Sequence, residues 1–322
     1  MTGLKLFSLE AGAEFAERLS AALAVPRSAH EERDFVDGEH KIRPLEDVEG
    51  DDVYVVQSLY GDASIGLNDK LIRLLFFIGA LKDAGAARVT AVIPYLCYGR
   101  KDRRTKLHDP LSSRYLASLF ESLGTDAVVT LDAHNQSAFE NAFRCRTLHL
   151  PAQRLFVDFA VRQLQGDQRR LVVASPDVGG VKRAEAMRQA LGERLGREIG
   201  RAFVEKYRSA DQLSGGTLIG DVRDACVLIV DDLIAGGGTI TRAVGAIQGG
   251  GAARIWALAS HGQFCGDALA GLGRLPLEAI AVTNSLPQAT AKPLQVVDCA
   301  PLIAAAIHDL HYGGPATQLG FD

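Results

Sequence analysis

What this chain lacks narrows its possible roles. No apolar run approaches the roughly 20 residues that a membrane span needs; the longest candidate, Leu74 to Leu81, is interrupted by Gly79. Charge has no strong sign: Lys and Arg number 35 against 39 Asp and Glu, a formal charge of −4. A protein that wraps nucleic acid through its overall field carries a positive excess, so neither a nucleic-acid nor a membrane partner is expected. The five cysteines are scattered and odd in number, with no C-x-x-C pair. That pattern argues against a disulfide framework or a zinc knuckle and fits reduced thiols. The first residues run into Glu10, Glu14 and Glu17, unlike a secretory signal or an Arg-rich transit peptide, and a cytoplasmic location is expected. Low-complexity tracts, short repeats and long linkers are also missing from the sequence.

What is present is an ordinary globular composition, 47% hydrophobic and 23% charged over 322 residues. At about 150 residues per domain, that length predicts two domains or one large one. Short β-branched runs recur between helix-length segments: 53–57, 88–94, 127–131, 171–174, 227–230, 254–259 and 279–282. Near-continuous apolar strands of this kind predict parallel α/β architecture with both sheet faces covered, here as two doubly wound halves. Asn68-Asp69 offers an N-cap before Leu71, Ile72, Leu74, Leu75, Ile78 and Leu81, and Gly85 ends that helical pattern. A strand-like segment meets Pro151 and a new helix over 154–164. The expected domains are therefore 1–150 and 151–322.

In sheets of this class ligands bind at the carboxyl ends of the strands, near a reversal of strand order. Three strand ends carry an unusual load: Leu131-Asp132-Ala133-His134, Ser175-Pro176-Asp177-Val178-Gly179-Gly180, and Asp231-Asp232-Leu233-Ile234-Ala235-Gly236-Gly237-Gly238-Thr239. In the last, a buried strand delivers two carboxylates, and three glycines and a threonine then open a helix. Glycines let several backbone N–H groups converge on one anion at a helix N-terminus, and Thr239 adds a hydroxyl. The loop has no Gly-Lys-Ser/Thr and so is not a Walker loop. A phosphate cradle beside two carboxylates suits a ribose 5-phosphate, with Asp231 and Asp232 meeting ribose hydroxyls or a magnesium-bound water.

The run from Val230 to Thr239 resembles the phosphoribosyl-binding motif of the ribose-phosphate pyrophosphokinase (phosphoribosyl pyrophosphate synthetase) family. Further stretches stand in the family's order: Phe35-Val36-Asp37-Gly38-Glu39, Tyr98-Gly99-Arg100-Lys101-Asp102-Arg103-Arg104, Asp132-Ala133-His134, Pro176-Asp177-Val178-Gly179-Gly180 and Lys206-Tyr207-Arg208. The resemblance spans roughly residues 30 to 300, judged by motifs. It implies two doubly wound phosphoribosyltransferase-like domains and a reaction for nucleotide biosynthesis, in which the diphosphoryl group of ATP moves to the C1 hydroxyl of ribose 5-phosphate. Such a transfer needs positioning and charge neutralisation more than covalent catalysis.

The resemblance also implies roles. Arg100, Lys101 and Arg103 belong to an ATP-phosphate loop, with Arg100 and Arg103 the best candidates, and His134 is an ATP-phosphate or metal contact. Asp177 is a metal-site carboxylate, and a hard ion such as Mg2+ prefers its oxygen to a histidine nitrogen. Lys206 and Arg208 are the transition-state cations, followed by a flap over 209–216. Phe35, Asp37 and Glu39 recognise adenine from a neighbouring subunit, which implies a homo-oligomer. Asp231, Asp232, Gly236, Gly237, Gly238 and Thr239 hold the sugar phosphate. The chain departs from the family where Ala235 and Gly236 replace an Asp and a Thr, and Tyr207 replaces a basic residue. Losing one charged and one neutral hydrogen bond, at roughly 1.5–3 and 0.5–1.5 kcal/mol, corresponds to a ten- to thousandfold weaker hold on the sugar phosphate. Two other readings compete: a phosphoribosyltransferase acting on a base, and a non-catalytic regulatory paralogue of the synthetase.

Overall fold

The computed structural model describes residues 3–206, 216–289 and 292–314 and divides the chain into two compact units. The first begins with β1 (Leu4–Ser8) and α1 (Ala13–Leu23), followed by a hairpin of β2 (His30–Asp34) and β3 (His40–Pro44). It continues with β4 (Asp52–Val56), α2 (Leu67–Asp83), β5 (Arg88–Ile93), α3 (Ser112–Ser122), β6 (Ala127–Leu131), α4 (Gln136–Ala142) and β7 (Arg146–Leu150). Its sheet is parallel throughout, in the order β1-β4-β5-β6-β7. Val53 and Val55 of β4 and Val89, Ala91 and Ile93 of β5 share one apolar core with Leu74, Phe77, Ile78 and Leu81 of α2. Removing each such side chain from water contributes about 1.5–3 kcal/mol. The helix predicted after Asn68-Asp69 starts slightly earlier, at Leu67: Asp69 reaches back to accept the Gly66 N–H at 3.2 Å and satisfies an orphan donor from inside the first turn.

The second unit runs through α5 (Gln153–Gln163), β8 (Leu171–Ser175), α6 (Val181–Leu195), β9 (Gly200–Lys206), β10 (Gly216–Ile219) and β11 (Cys226–Ile234). After these come α7 (Gly238–Gly249), β12 (Arg254–Gly262), α8 (Ala268–Leu272), β13 (Ala279–Thr283) and β14 (Leu294–Val297). Its sheet has the order β10-β9-β8-β11-β12-β13-β14, parallel except for the β9–β10 pair. From β8 the chain first builds outward to β9 and then returns to the other side of β8 as β11. That reversal opens the crevice where ligands of α/β sheets bind. Both units are thus α/β, with mainly parallel sheets flanked by helices.

The units divide after Pro151, and the last segment returns to the first. The final helix, α9 (Ala300–Tyr312), belongs with the first unit and packs along α1, so the second domain does not extend to residue 322. The physical reason is a buried charge at the start of β4. Asp52, 3% exposed, takes the Arg88 guanidinium, whose Nε lies 2.7 Å from Oδ1, and the Tyr54 hydroxyl at 3.0 Å. α9 completes this arrangement: His311 Nδ1 sits 2.6 Å from Asp52 Oδ2, and Arg88 donates to the Leu310 carbonyl at 3.1 Å. Burial opposes ionisation of Asp52, yet the hydrogen bonds from Arg88 and His311 outweigh it and hold the carboxyl below its usual range. Its stabilisation is therefore present above the ordinary carboxylate pKa and is lost as pH falls through the depressed value. Among the described residues no helix is long and apolar enough to cross a membrane.

Asp52→Ala strips partners from Arg88 and His311. It is expected to destabilise the full chain by about 3 kcal/mol in urea denaturation, with the largest gain in amide exchange along α9.

Candidate active site

In the second unit the two carboxylate-bearing turns flank the reversal of strand order, one after β8 and one at the end of β11. After β8, Asp177 N-caps a single 3-10 turn: its Oδ1 accepts the Gly179 and Gly180 N–H groups at 3.0 and 3.3 Å. Gly180 is required there because a Cβ would stand 2.7 Å from Ser175 Oγ. The sequence signal Pro-Asp-x-Gly-Gly thus builds a turn that presents a carboxylate at the strand end.

β11 extends past the predicted apolar run and carries Asp231 and Asp232 as its sixth and seventh residues of nine, the second of them 6% exposed. The Asp232 N–H donates to Asp231 Oδ1 at 2.9 Å, which holds the two carboxylates close. Burial first, and the neighbouring Asp232 second, push the Asp231 carboxyl far above its usual range. Arg183, from the first turn of α6, places Nη1 3.4 Å from Asp232 Oδ1 and partly offsets the shared negative charge. The sequence reading missed Arg183. The available signal was its place three residues after Gly180, where a helix starting at Val181 turns it back toward the strand ends.

The glycines behave differently from one another. Gly237 caps α7 in the left-handed conformation, φ 75°, and a Cβ there would meet Leu272 at 3.3 Å. Gly236 is exposed and has open space, so its departure from the family's Thr reflects no packing constraint. Thr239 accepts a hydrogen bond from Arg242 Nη2 at 3.3 Å, which leaves its own hydroxyl proton to donate elsewhere. Lys206 ends β9; Arg208 and the flap over 209–215 lie outside the described residues.

In the first unit, Phe35, Asp37 and Glu39 form the tip of the β2–β3 hairpin. Gly38 takes φ 92°, the Glu39 N–H bonds Asp37 Oδ1 at 3.1 Å, and Phe35 and Val36 are exposed. The Arg33 guanidinium lies 5.1 Å from the centre of the Phe35 ring.

The basic run follows β5. Arg100 and Arg103 are exposed and make no ion pair among the described residues, whereas Lys101 is engaged inside the loop. Asp109 Oδ2 takes Lys101 Nζ at 2.6 Å, Thr105 Oγ1 at 2.7 Å, and the backbone N–H groups of Lys106 and Thr105 at 2.9 and 3.0 Å. The Lys101 and Thr105 hydrogen bonds hold that carboxyl well below its usual range. Lys101 therefore braces the loop, and Asp109 shapes it. Nearby, exposed His134 rims a cavity of about 20 Å3, room for roughly one water, so any larger ligand of this loop is met at the surface. His134 belongs to the first unit and Asp177 to the second. Among the described residues no group of three or more His, Cys, Asp or Glu side chains could by itself hold a metal ion. An open depression of about 580 Å3 lined by residues 165–169 and Arg254 lies at the amino ends of β8 and β12. Its Asp167 and Arg254 pair with each other at 3.1 Å, far from the strand carboxyl ends.

Three substitutions probe this geometry. Asp231→Asn removes a buried like charge and is expected to raise the apo melting temperature by a few degrees at alkaline pH, with no gain below about pH 3, where the carboxyl is protonated in both folded and unfolded chains. Gly237→Ala should lower stability by about 1–2 kcal/mol through its backbone conformation, while Gly236→Ala is neutral; thermal melts of both variants check this.

Comparison with known proteins agrees with this arrangement. The family model for the N-terminal domain of ribose phosphate pyrophosphokinase matches residues 4–124, and that for the phosphoribosyl synthetase-associated domain matches 204–320. The phosphoribosylpyrophosphate synthetase of Mycobacterium smegmatis is 32% identical, with a TM-score of 0.88 over 97% of this chain and 100% of that one. Slighter likenesses, too weak to carry an argument, link part of the chain to two transferases. The adenine phosphoribosyltransferase of Thermoanaerobacter pseudethanolicus is 21% identical over 41% of this chain and 78% of that one, TM-score 0.28. The hypoxanthine phosphoribosyltransferase of Staphylococcus aureus is 14% identical over 45% and 71%, TM-score 0.29. With both halves matched and the synthetase covered along its whole length, this chain of two phosphoribosyltransferase-like units belongs to the phosphoribosylpyrophosphate synthetase family.

Proposed function

We propose that the chain is a ribose-phosphate diphosphokinase of nucleotide biosynthesis, which moves the β,γ-diphosphoryl group of ATP to the C1 hydroxyl of ribose 5-phosphate and releases AMP. The observation that carries this reading is the switch point of the second unit, where Asp177 on one side and the Asp231-Asp232 glycine loop on the other face one crevice. The N–H groups at the start of α7 and Thr239 hold the 5-phosphate. Asp231 and Asp232 orient the ribose hydroxyls. Arg100 and Arg103 meet the ATP phosphates, and Lys206 and Arg208 stabilise the charge that develops between nucleophile and leaving group. Phe35 offers adenine a stacking face, with Asp37 and Glu39 for its exocyclic amine.

A magnesium ion fits the donor chemistry, because the Asp177 carboxylate supplies the hard oxygen that this ion prefers, with His134 the further candidate contact. When bound with ATP it neutralises phosphate charge. The exposed hairpin tip and the apolar side chains Ile72 and Phe76 of α2 and Tyr115 and Leu119 of α3 support assembly with further copies of the chain. A second reading, the non-catalytic paralogue, draws on Ala235 and Gly236, which remove a carboxylate and a hydroxyl from the sugar-phosphate loop. The phosphoribosyltransferase reading has no use for the Arg100–Arg104 loop or the hairpin.

Phosphorus NMR of the full chain with magnesium, ATP and ribose 5-phosphate should show AMP and a new diphosphate ester, and chelation should stop both. ATP binding without product would favour the paralogue instead. Lys206→Ala is expected to cut turnover by roughly a hundredfold or more with ATP affinity nearly unchanged, measured by steady-state rates and calorimetry. Light scattering should give a mass above that of one chain.

A further inference from the structure

We infer that Arg242 is a binding residue of the sugar-phosphate site, supplying the cation for the phosphate monoester that the glycine loop itself lacks. This rests on the reading of the Asp231–Thr239 loop as a ribose 5-phosphate site. The need follows from charge. A phosphate monoester dianion bound here faces two carboxylates at the end of β11, one of them 6% exposed. Against it the loop sets only backbone N–H groups, the partial positive charge of a helix end worth about half a unit, and one threonine. No lysine or arginine occurs between Asp231 and Thr239.

Arg242 stands one turn into α7, three residues after Thr239, so helical spacing returns its side chain to the loop. The guanidinium lies along it: Nη2 is 3.3 Å from Thr239 Oγ1, and Nη1 is 3.6 Å from the position a Cβ on Gly238 would occupy. It is half-buried and makes no ion pair with a carboxylate among the described residues. A guanidinium carries five donors in a planar fork. One engages Thr239, and the fork geometry suits a tetrahedral oxyanion held by the adjoining N–H groups. The contact with Thr239 also sets that hydroxyl as an acceptor toward arginine and a donor toward the ligand. Arg242 thereby compensates for the hydroxyl missing at Gly236, whose open side leaves the phosphate reachable.

The test compares Arg242→Met, Arg242→Lys and Thr239→Ala in the full chain, by calorimetric binding of ribose 5-phosphate and by steady-state KM for both substrates. Arg242→Met should weaken ribose 5-phosphate by about tenfold to a hundredfold in both measurements, leave the KM for ATP within about twofold, and keep the thermal midpoint. Arg242→Lys should recover part of the loss, because charge remains while the fork does not. Adding Gly236→Thr to the methionine variant should regain some affinity through the restored hydroxyl. Unchanged ribose 5-phosphate affinity in Arg242→Met, with a clear loss in Thr239→Ala, overturns the inference while the loop reading stands. An equal loss for ATP also overturns it, as would a methionine variant no weaker than the lysine one. If neither Arg242→Met nor Thr239→Ala alters ribose 5-phosphate binding, the loop reading itself fails.

Discussion

Two carboxylates held against each other at the end of a buried strand repel, and the second unit is arranged around that repulsion. Asp231 and Asp232 can coexist only because Arg183 leans on one of them and because a proton or a ligand can satisfy the other. The pair is therefore electrostatically crowded, a cost that the surrounding sheet absorbs. Under the proposed function, ligand hydroxyls donating to the carboxylates would relieve it, so that binding energy is available where charge is most crowded. The reversal of strand order between β8 and β11 makes this possible, because it parts the chain and leaves a crevice at the place where the acidic strand ends.

The first unit shows the complementary problem, an excess of cations in one loop. Four basic residues within five would repel each other and wander, and the structure settles this by engaging one of them internally. Lys101 is drawn onto Asp109, which also gathers the N–H groups of Thr105 and Lys106, so the loop closes on itself and Arg100 and Arg103 are left outward. A charge run thus divides into a brace and an exposed pair. The same logic fastens the end of the chain: Asp52 is buried at the edge of β4, and Arg88 and Tyr54 leave room for one more partner. The last helix supplies it through His311.

Much of this was legible in the residues. The strands 88–94, 127–131 and 171–174 declared themselves because parallel strands buried on both faces read as unbroken apolar runs. The Asp177 turn and the acidic glycine loop were legible because their geometry is local, a carboxylate capping nearby N–H groups and glycines occupying positions that a Cβ would fill. β1 was harder, since Leu4 to Ser8 alternates with a lysine and is short. Helix α9 was assigned to the wrong half, because nothing in Ala300 to Tyr312 states which sheet its apolar face covers.

The sequence by itself determined the fold class and the strand-end motifs with their carboxylates and glycines, since each depends on side chains within a few positions of one another. Only the tertiary structure decided which charges are engaged and which stay exposed. Lys101 and Arg103 carry the same charge, and nothing in the letters sets Arg183 and Arg242 apart from the chain's other arginines. Their difference comes from carboxylates and loops that approach across helix turns and strand ends, and a Coulomb interaction depends on distance in space, not on separation along the chain.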